Sequence, residues 1–206
     1  MDTLRTADGL ALHLRHWPAG DAPRGQVLLV HGLGEHVGRY AHVAAALHAR
    51  GWAVSGFDQR GHGRSEGARG VIARPDALLA DLAAVIDAVR PRHVGPLVLL
   101  GHSMGGAVAA RFVAEGLAPQ PAAWRRPVDG LVLSSPALAA RLSGFQRLQL
   151  AIGERFLPDL AQRNGIDPRG LSHDEATVAA YSADPLVHDR ISARLARFIL
   201  DAGEQV

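Results

Sequence analysis

The chain has 206 residues, 48% of them apolar and 20% charged, a globular composition long enough for one domain with its own core and outside the disordered range. The formal net charge is +2, every cation is arginine, and no dense basic block occurs, so nucleic acid is not implied. Cysteine is absent, which excludes disulfides, thiolate metal ligands and a cysteine nucleophile.

Along the chain, LALHLRHW (10–17) alternates apolar and polar side chains and predicts a half-exposed strand. A turn-rich link, 18–25, precedes VLLVH (27–31), an unbroken aliphatic run suited to a strand covered on both faces. The glycine-rich loop GLGEHVG follows, then a helix over 39–50 with Gly51 placed to end it. WAVSGFD (52–58) is the next predicted strand, and QRGHGRSEG a polar loop. Pro75 and Asp76 open a helix whose stripe is Leu78, Leu79, Leu82, Val85, Ile86 and Val89. LVLL (97–100) predicts a strand, 104–115 a small-residue helix, and GLVLS (130–134) another strand. This alternation predicts an α/β fold, a mostly parallel sheet with flanking helices on both faces.

After Pro136 the rhythm changes. Residues 139–190 show no clear strand and read as a helical insertion, with an imperfect amphipathic stripe at Leu142, Phe145, Leu148, Ile152 and Phe156. That stripe either packs on the core or meets an apolar surface such as lipid. ISARLARFIL (191–200) is again helical, with Ile191, Leu195, Phe198 and Ile199 on one face. The N-terminus has no apolar leader and no run reaches about 18 apolar residues, so a soluble, cytoplasmic protein is expected.

GHSMGG (101–106) carries the chemistry. The pattern G-x-S-x-G works when a strand enters a sharp turn and a helix leaves it, because the turn lifts the serine hydroxyl clear of the sheet. Both flanking elements are predicted here, which points to Ser103 as a nucleophile. Acyl transfer also needs donors for an oxyanion. The N–H of Met104, just after the serine, and that of Leu33, in the loop HGLGEH (31–36), stand in the required places. His36, His42 and His48 lie six apart, which is no single helical face, and HExxH is absent, so neither metal nor cofactor is expected.

VLLVHGLGEHVGRY, FDQRGHGRSEG, GHSMGG and SADPLVHDRISARL together resemble the monoacylglycerol lipase and lysophospholipase-like branch of the α/β-hydrolase superfamily, over nearly the whole chain. The resemblance implies an α/β-hydrolase fold with 1–138 as the N-terminal part of the core, 139–190 as a helical cap and 191–206 as a helix returning to the core. It implies Ser103 as nucleophile, Leu33 and Met104 as oxyanion-hole donors, and Glu35 and Arg39 at the polar end of the pocket. It implies a lipid ester substrate and a cap able to touch a lipid surface. His31 and His102 flank the site with structural roles.

A serine nucleophile needs a histidine base oriented by a carboxylate, and in this fold both follow the serine in chain order. The sequence ends at Val206, before the strands that would carry them, so the last core strands are expected to be missing. Strand 130–134 would then be an open edge prone to self-association. His173, His188, Asp159, Asp167, Asp174, Asp184, Asp189 and Asp201 do follow Ser103. Asp184 reads as an Asp-Pro turn, and His188 and Asp189 as the start-cap of the final helix. Two alternatives stand beside the lipase reading: a catalytically inactive fragment that binds lipid or a partner, and an S33-type aminopeptidase or small-ester esterase.

Overall fold

The computed structural model describes residues 2–17, 20, 22–139 and 143–206; Leu142 of the predicted stripe lies outside them. Six strands form the main sheet: β1 (Asp2–Arg5), β2 (Ala11–Trp17), β3 (Gln26–Val30), β4 (Ala53–Phe57), β5 (Leu97–His102) and β6 (Gly130–Ser134). Their spatial order is β1-β2-β4-β3-β5-β6. β4, β3, β5 and β6 run parallel, while β1 and β2 join antiparallel at the β4 side. The predicted α/β arrangement is the observed one.

β3 and β4 are buried at every residue because helices cover both faces. Val27 and Leu29 face one cluster with Ala44 of α1 (Ala41–His48). Leu28 and Val30 face the larger cluster, shared with α2 (Ala77–Val89), α3 (Met104–Leu117) and α6 (Ala193–Glu204). The α2 stripe read from the sequence is wholly buried there. Among the described residues no helix is long and apolar enough to cross a membrane.

Residues 143–189 are less uniform than a helical insertion. α4 (Gly144–Phe156) opens on a capping box, in which Ser143 Oγ accepts from Gln146 N and Gln146 answers the Ser143 N–H. α5 (Glu175–Ala183) follows. Between them β7 (Ala161–Arg163) pairs antiparallel with β8 (Arg190–Ser192), which corrects the expectation that this stretch holds no strand. Three-residue strands paired across nearly thirty residues leave no periodic trace. β1, four residues long, is likewise too short to show a period. The start of α6 is also corrected. Ser192, not His188 or Asp189, is its N-cap, accepting from Leu195 N at 3.2 Å.

The stripe on α4 turns outward rather than onto the core: Phe145 is 70% and Phe156 69% exposed, and Leu148 and Ile152 are exposed between them. β6 forms one edge of the described sheet, with Val132 and Leu133 exposed.

One buried ion cluster fastens the loop after β4. The Arg60 guanidinium donates to both oxygens of Asp81 on α2, at 2.6 and 2.7 Å, and to Asp8 in the β1–β2 turn at 2.8 Å. Arg60 and Asp81 are both almost inaccessible to water. A buried cation stripped of one partner keeps its desolvation cost without the compensating attraction. Asp81→Ala is therefore expected to lower unfolding free energy by about 3–5 kcal/mol, measured as a shift of the urea midpoint at unchanged slope. A loss under about 1 kcal/mol, the scale of a surface pair, would contradict this.

Candidate active site

Ser103 sits between the last residue of β5 and the first of α3, with φ 51° and ψ −119°. A side chain at this φ costs about 1–3 kcal/mol and persists only where packing over-determines it. The packing is supplied by glycines. An added Cβ on Gly105 would overlap the carbonyl oxygens of Val30 and His31, and one on Gly101 would lie 2.5 Å from Gly105 O. So α3 rests directly on the ends of β3 and β5. The backbone of Ser103 is held on both sides: its N–H donates to Ser134 O and its carbonyl accepts from Ala137 N, each at 3.0 Å.

The loop after β3 comes to the serine. A Cβ on Gly32 would fall 3.3 Å from Ser103 Cβ. The Leu33 N–H and the Met104 N–H, in the orphan first turn of α3, have no protein acceptor among the described residues. Ser103, Leu33, Glu35 and Arg39 line one cavity of about 180 Å³. Its far wall comes from residues 143–189, including Ile166, Val178 and Tyr181. Met104 is buried beneath, in the core.

Glu35 is the hub of the loop. Its Oε1 accepts from Gly32 N and from Tyr40 Oη, both at 2.7 Å, and its Oε2 faces Arg39 Nε at 3.5 Å. Burial and then the adjacent carboxylate push the Tyr40 phenol far above its usual range, so it stays a donor. Glu35 thereby fixes the His31–Gly32 peptide, one before the peptide that carries the Leu33 N–H. The Arg39 guanidinium lies over the Tyr181 ring, 4.7 Å from its centroid. Tyr40 and Tyr181 were not singled out in the sequence. Tyr40 was within the quoted motif, but nothing local marks Tyr181.

Histidines pin the surrounding loops. His31 is fully buried; its Nε2 accepts from Gln59 N at 2.9 Å, so Nδ1 carries the proton donated to Gly32 O at 2.7 Å. His36 Nδ1 accepts from Gly38 N, which leaves Nε2–H to donate to Asp184 Oδ2 at 2.8 Å. Burial works against the charge on Asp184, but the bonds from His36 and Leu186 N outweigh it and its carboxyl titrates below the usual range. His188 N donates to Gly34 O at 2.8 Å, closing a second link between the Asp184–Asp189 stretch and the loop. Among the described residues no imidazole or carboxylate is hydrogen-bonded to the Ser103 hydroxyl. His102 Nδ1 instead meets Ser134 Oγ at 3.1 Å, and His188 packs its ring on His62 at 4.6 Å. No described group of three or more His, Asp or Glu is arranged to hold a metal.

The family described as serine aminopeptidase, S33, matches residues 21–206. The chain is 34% identical over 195 residues to a monoacylglycerol lipase of Mycolicibacterium smegmatis, covering 92% of this chain and 66% of that protein. It is 35% identical over 185 residues to the human monoglyceride lipase, covering 89% of this chain and 59% of that protein. The crystal structure of a Paleococcus ferrophilus monoacylglycerol lipase superposes with a TM-score of 0.77 at 36% identity, over 94% of this chain and 70% of that one. The chain thus spans about three fifths to two thirds of the length of the curated lipases it matches.

The histidines beside the loop make stability depend on pH. In the folded chain burial, then Arg69, pull His188 down to about 4 from an ordinary 6.5, and burial also lowers His31 and His62. The unfolded chain takes up protons near 6.5 that the folded chain refuses until about 4. Stability is therefore full above pH 6.5 and falls as pH drops toward 4. A series of thermal midpoints across this range should show that fall, and His188→Asn should flatten it. An unchanged slope in the variant would remove His188 from the account.

Proposed function

The chain belongs to the serine aminopeptidase S33 family, in the monoacylglycerol lipase-like branch of the α/β-hydrolases, and on that basis we propose that it hydrolyses carboxylic esters of lipids through Ser103. Monoacylglycerols and lysophospholipids are the substrate classes this reading favours. The observation that carries it is the strained Ser103 at the head of α3, in one cavity with Leu33 and beside two unengaged N–H groups.

In this reading the Ser103 hydroxyl attacks the ester carbonyl carbon. The N–H groups of Leu33 and Met104 receive the oxyanion, and the α3 N-terminus adds favourable partial charge. Collapse of the tetrahedral intermediate expels the alcohol and leaves an acyl ester on Ser103, which water then cleaves. The hydroxyl proton must pass to a base, and none of the described residues stands within hydrogen-bonding reach. Turnover in the whole protein therefore draws on a base outside these contacts. Glu35 and Arg39 offer a polar end to a hydroxylated head group, while Leu33, Ile166, Leu171 and Val178 offer an apolar wall to an acyl chain. Residues 1–138 and 191–206 are read as core and 139–190 as the cap. The outward α4 stripe is the part of the cap that would meet a lipid surface, and the exposed β6 edge is where chains would self-associate.

In the whole protein, where that base is supplied, a fluorophosphonate probe should label Ser103 and leave Ser103→Ala unlabelled. A panel of acyl glycerols, short-chain esters and peptide arylamides should show turnover confined to esters and abolished in Ser103→Ala. Equal turnover in both proteins would sink the enzyme reading in favour of a non-catalytic binder, and arylamide cleavage would favour an aminopeptidase. For the cap, the chain should float with phosphatidylcholine liposomes, and Leu148→Asp with Phe156→Asp should abolish flotation. Flotation unaffected by both substitutions would detach lipid contact from α4.

A further inference from the structure

A second cavity is larger than the one at Ser103. A cleft of about 650 Å³ opens between β2 and the turn His36–Gly38, and no residue lines both cavities. Its walls are rich in cations and imidazoles: Arg15, Arg64 and Arg92 with His13 and His16. Two carboxylates also line it, and both are committed. Asp58 accepts the backbone N–H of Val37 at 2.8 Å and of Arg64 at 2.9 Å. Asp2 accepts from Arg92 at 2.5 Å, with His16 Nε2 at 3.3 Å.

Arg15 has no carboxylate partner among the described residues. Its guanidinium lies over the Trp17 ring, 4.8 Å from the centroid. Stacking occupies the face of a guanidinium and leaves its in-plane N–H groups available to an oxyanion. The turn opposite is bare where Arg15 approaches it. A Cβ on Gly38 would come 3.3 Å from Arg15 Nη1. Burial lowers the His13 pKa most; Asp58 opposes it, and the charges of Arg64 and Arg15 lower it further.

We propose that this cleft is an anion site that takes a phosphoryl group on the in-plane donors of Arg15, beside His13. Forked guanidinium donors match phosphate oxygens, and the volume leaves room for the rest of a phosphate ester. The group could arrive as inorganic phosphate, as a soluble monoester or as a lipid head group. The site shares with the Ser103 cavity only the turn between them, since Glu35 and Arg39 line one side and His36 to Gly38 the other. It does not depend on the reading of Ser103.

The test is a titration of inorganic phosphate into the 206-residue chain at ionic strength held constant with sodium chloride, followed by the His13 ring protons in NMR. Saturable shifts are expected, with the His13 pKa moving up as an anion beside it favours the imidazolium. Arg15→Gln, on an exposed side chain, should weaken binding about tenfold or more while leaving the thermal midpoint without phosphate unchanged; Ser103→Ala should bind as wild type. Glycerol phosphate that competes with inorganic phosphate assigns a soluble ester. Binding to phosphatidic acid vesicles that phosphate displaces assigns a lipid head group. Shifts that sodium chloride reproduces, failure to saturate at millimolar phosphate, or undiminished binding by folded Arg15→Gln would each overturn the site.

Discussion

The arrangement of this molecule depends on the place where α3 lies bare against the ends of β3 and β5. There the helix presents no side chain: at Gly105 even a single carbon would collide with the carbonyls of Val30 and His31. Close contact of backbone with backbone leaves the β5–α3 turn no room to relax, and the strained conformation of Ser103 is its consequence. The same contact sets Ser103 beside the loop leaving β3, because the loop begins at the strand end on which the helix rests. One steric constraint therefore fixes both the serine and its distance from Leu33.

Polar bonds then hold what sterics has placed. A loop of glycines has many conformations open to it, and its N–H groups will point wherever the backbone is left free to turn. Here Glu35 and the Tyr40 phenol lock the Gly32 peptide from within the loop, His31 and Gln59 tie its root to the end of β4, and His36 and Gly34 bind its tip to the stretch at Asp184–His188. Arg60, clasped between Asp81 and Asp8, anchors the neighbouring loop to α2 and the β1–β2 turn. Apart from the Glu35 bonds inside the loop, each of these clamps joins segments far apart in sequence. The loop geometry is thus a tertiary property expressed through local hydrogen bonds.

Much of this was legible in the residues, and for identifiable reasons. β3 and the α2 stripe are dense in aliphatic side chains, an unbroken run in the one and a helical spacing in the other, and such patterns are what periodicity reports. GHSMGG could be read because each glycine answers a steric demand and the serine a chemical one. The segment 143–189 was read only coarsely. Its short strand β7 has no period, and it exists only because β8 comes alongside it. Ser192 was displaced as the α6 cap by the more conspicuous His188 and Asp189, since a cap depends on where the helix begins, which β8 decides.

From its sequence alone the chain determined its class of fold, the strand–serine–helix turn and the loop that comes to meet it, because these follow from local periodicity and from the room that glycine leaves. Only the tertiary structure decided that Glu35 spends two of its acceptor positions on Gly32 and Tyr40, that Tyr181 stacks under Arg39, and that the α4 stripe faces outward. It alone brought Arg15, Arg64 and His13 to one cleft. The Tyr181 stacking and the cleft are meetings of residues from separate elements, and no spacing along one chain encodes a distance across the fold.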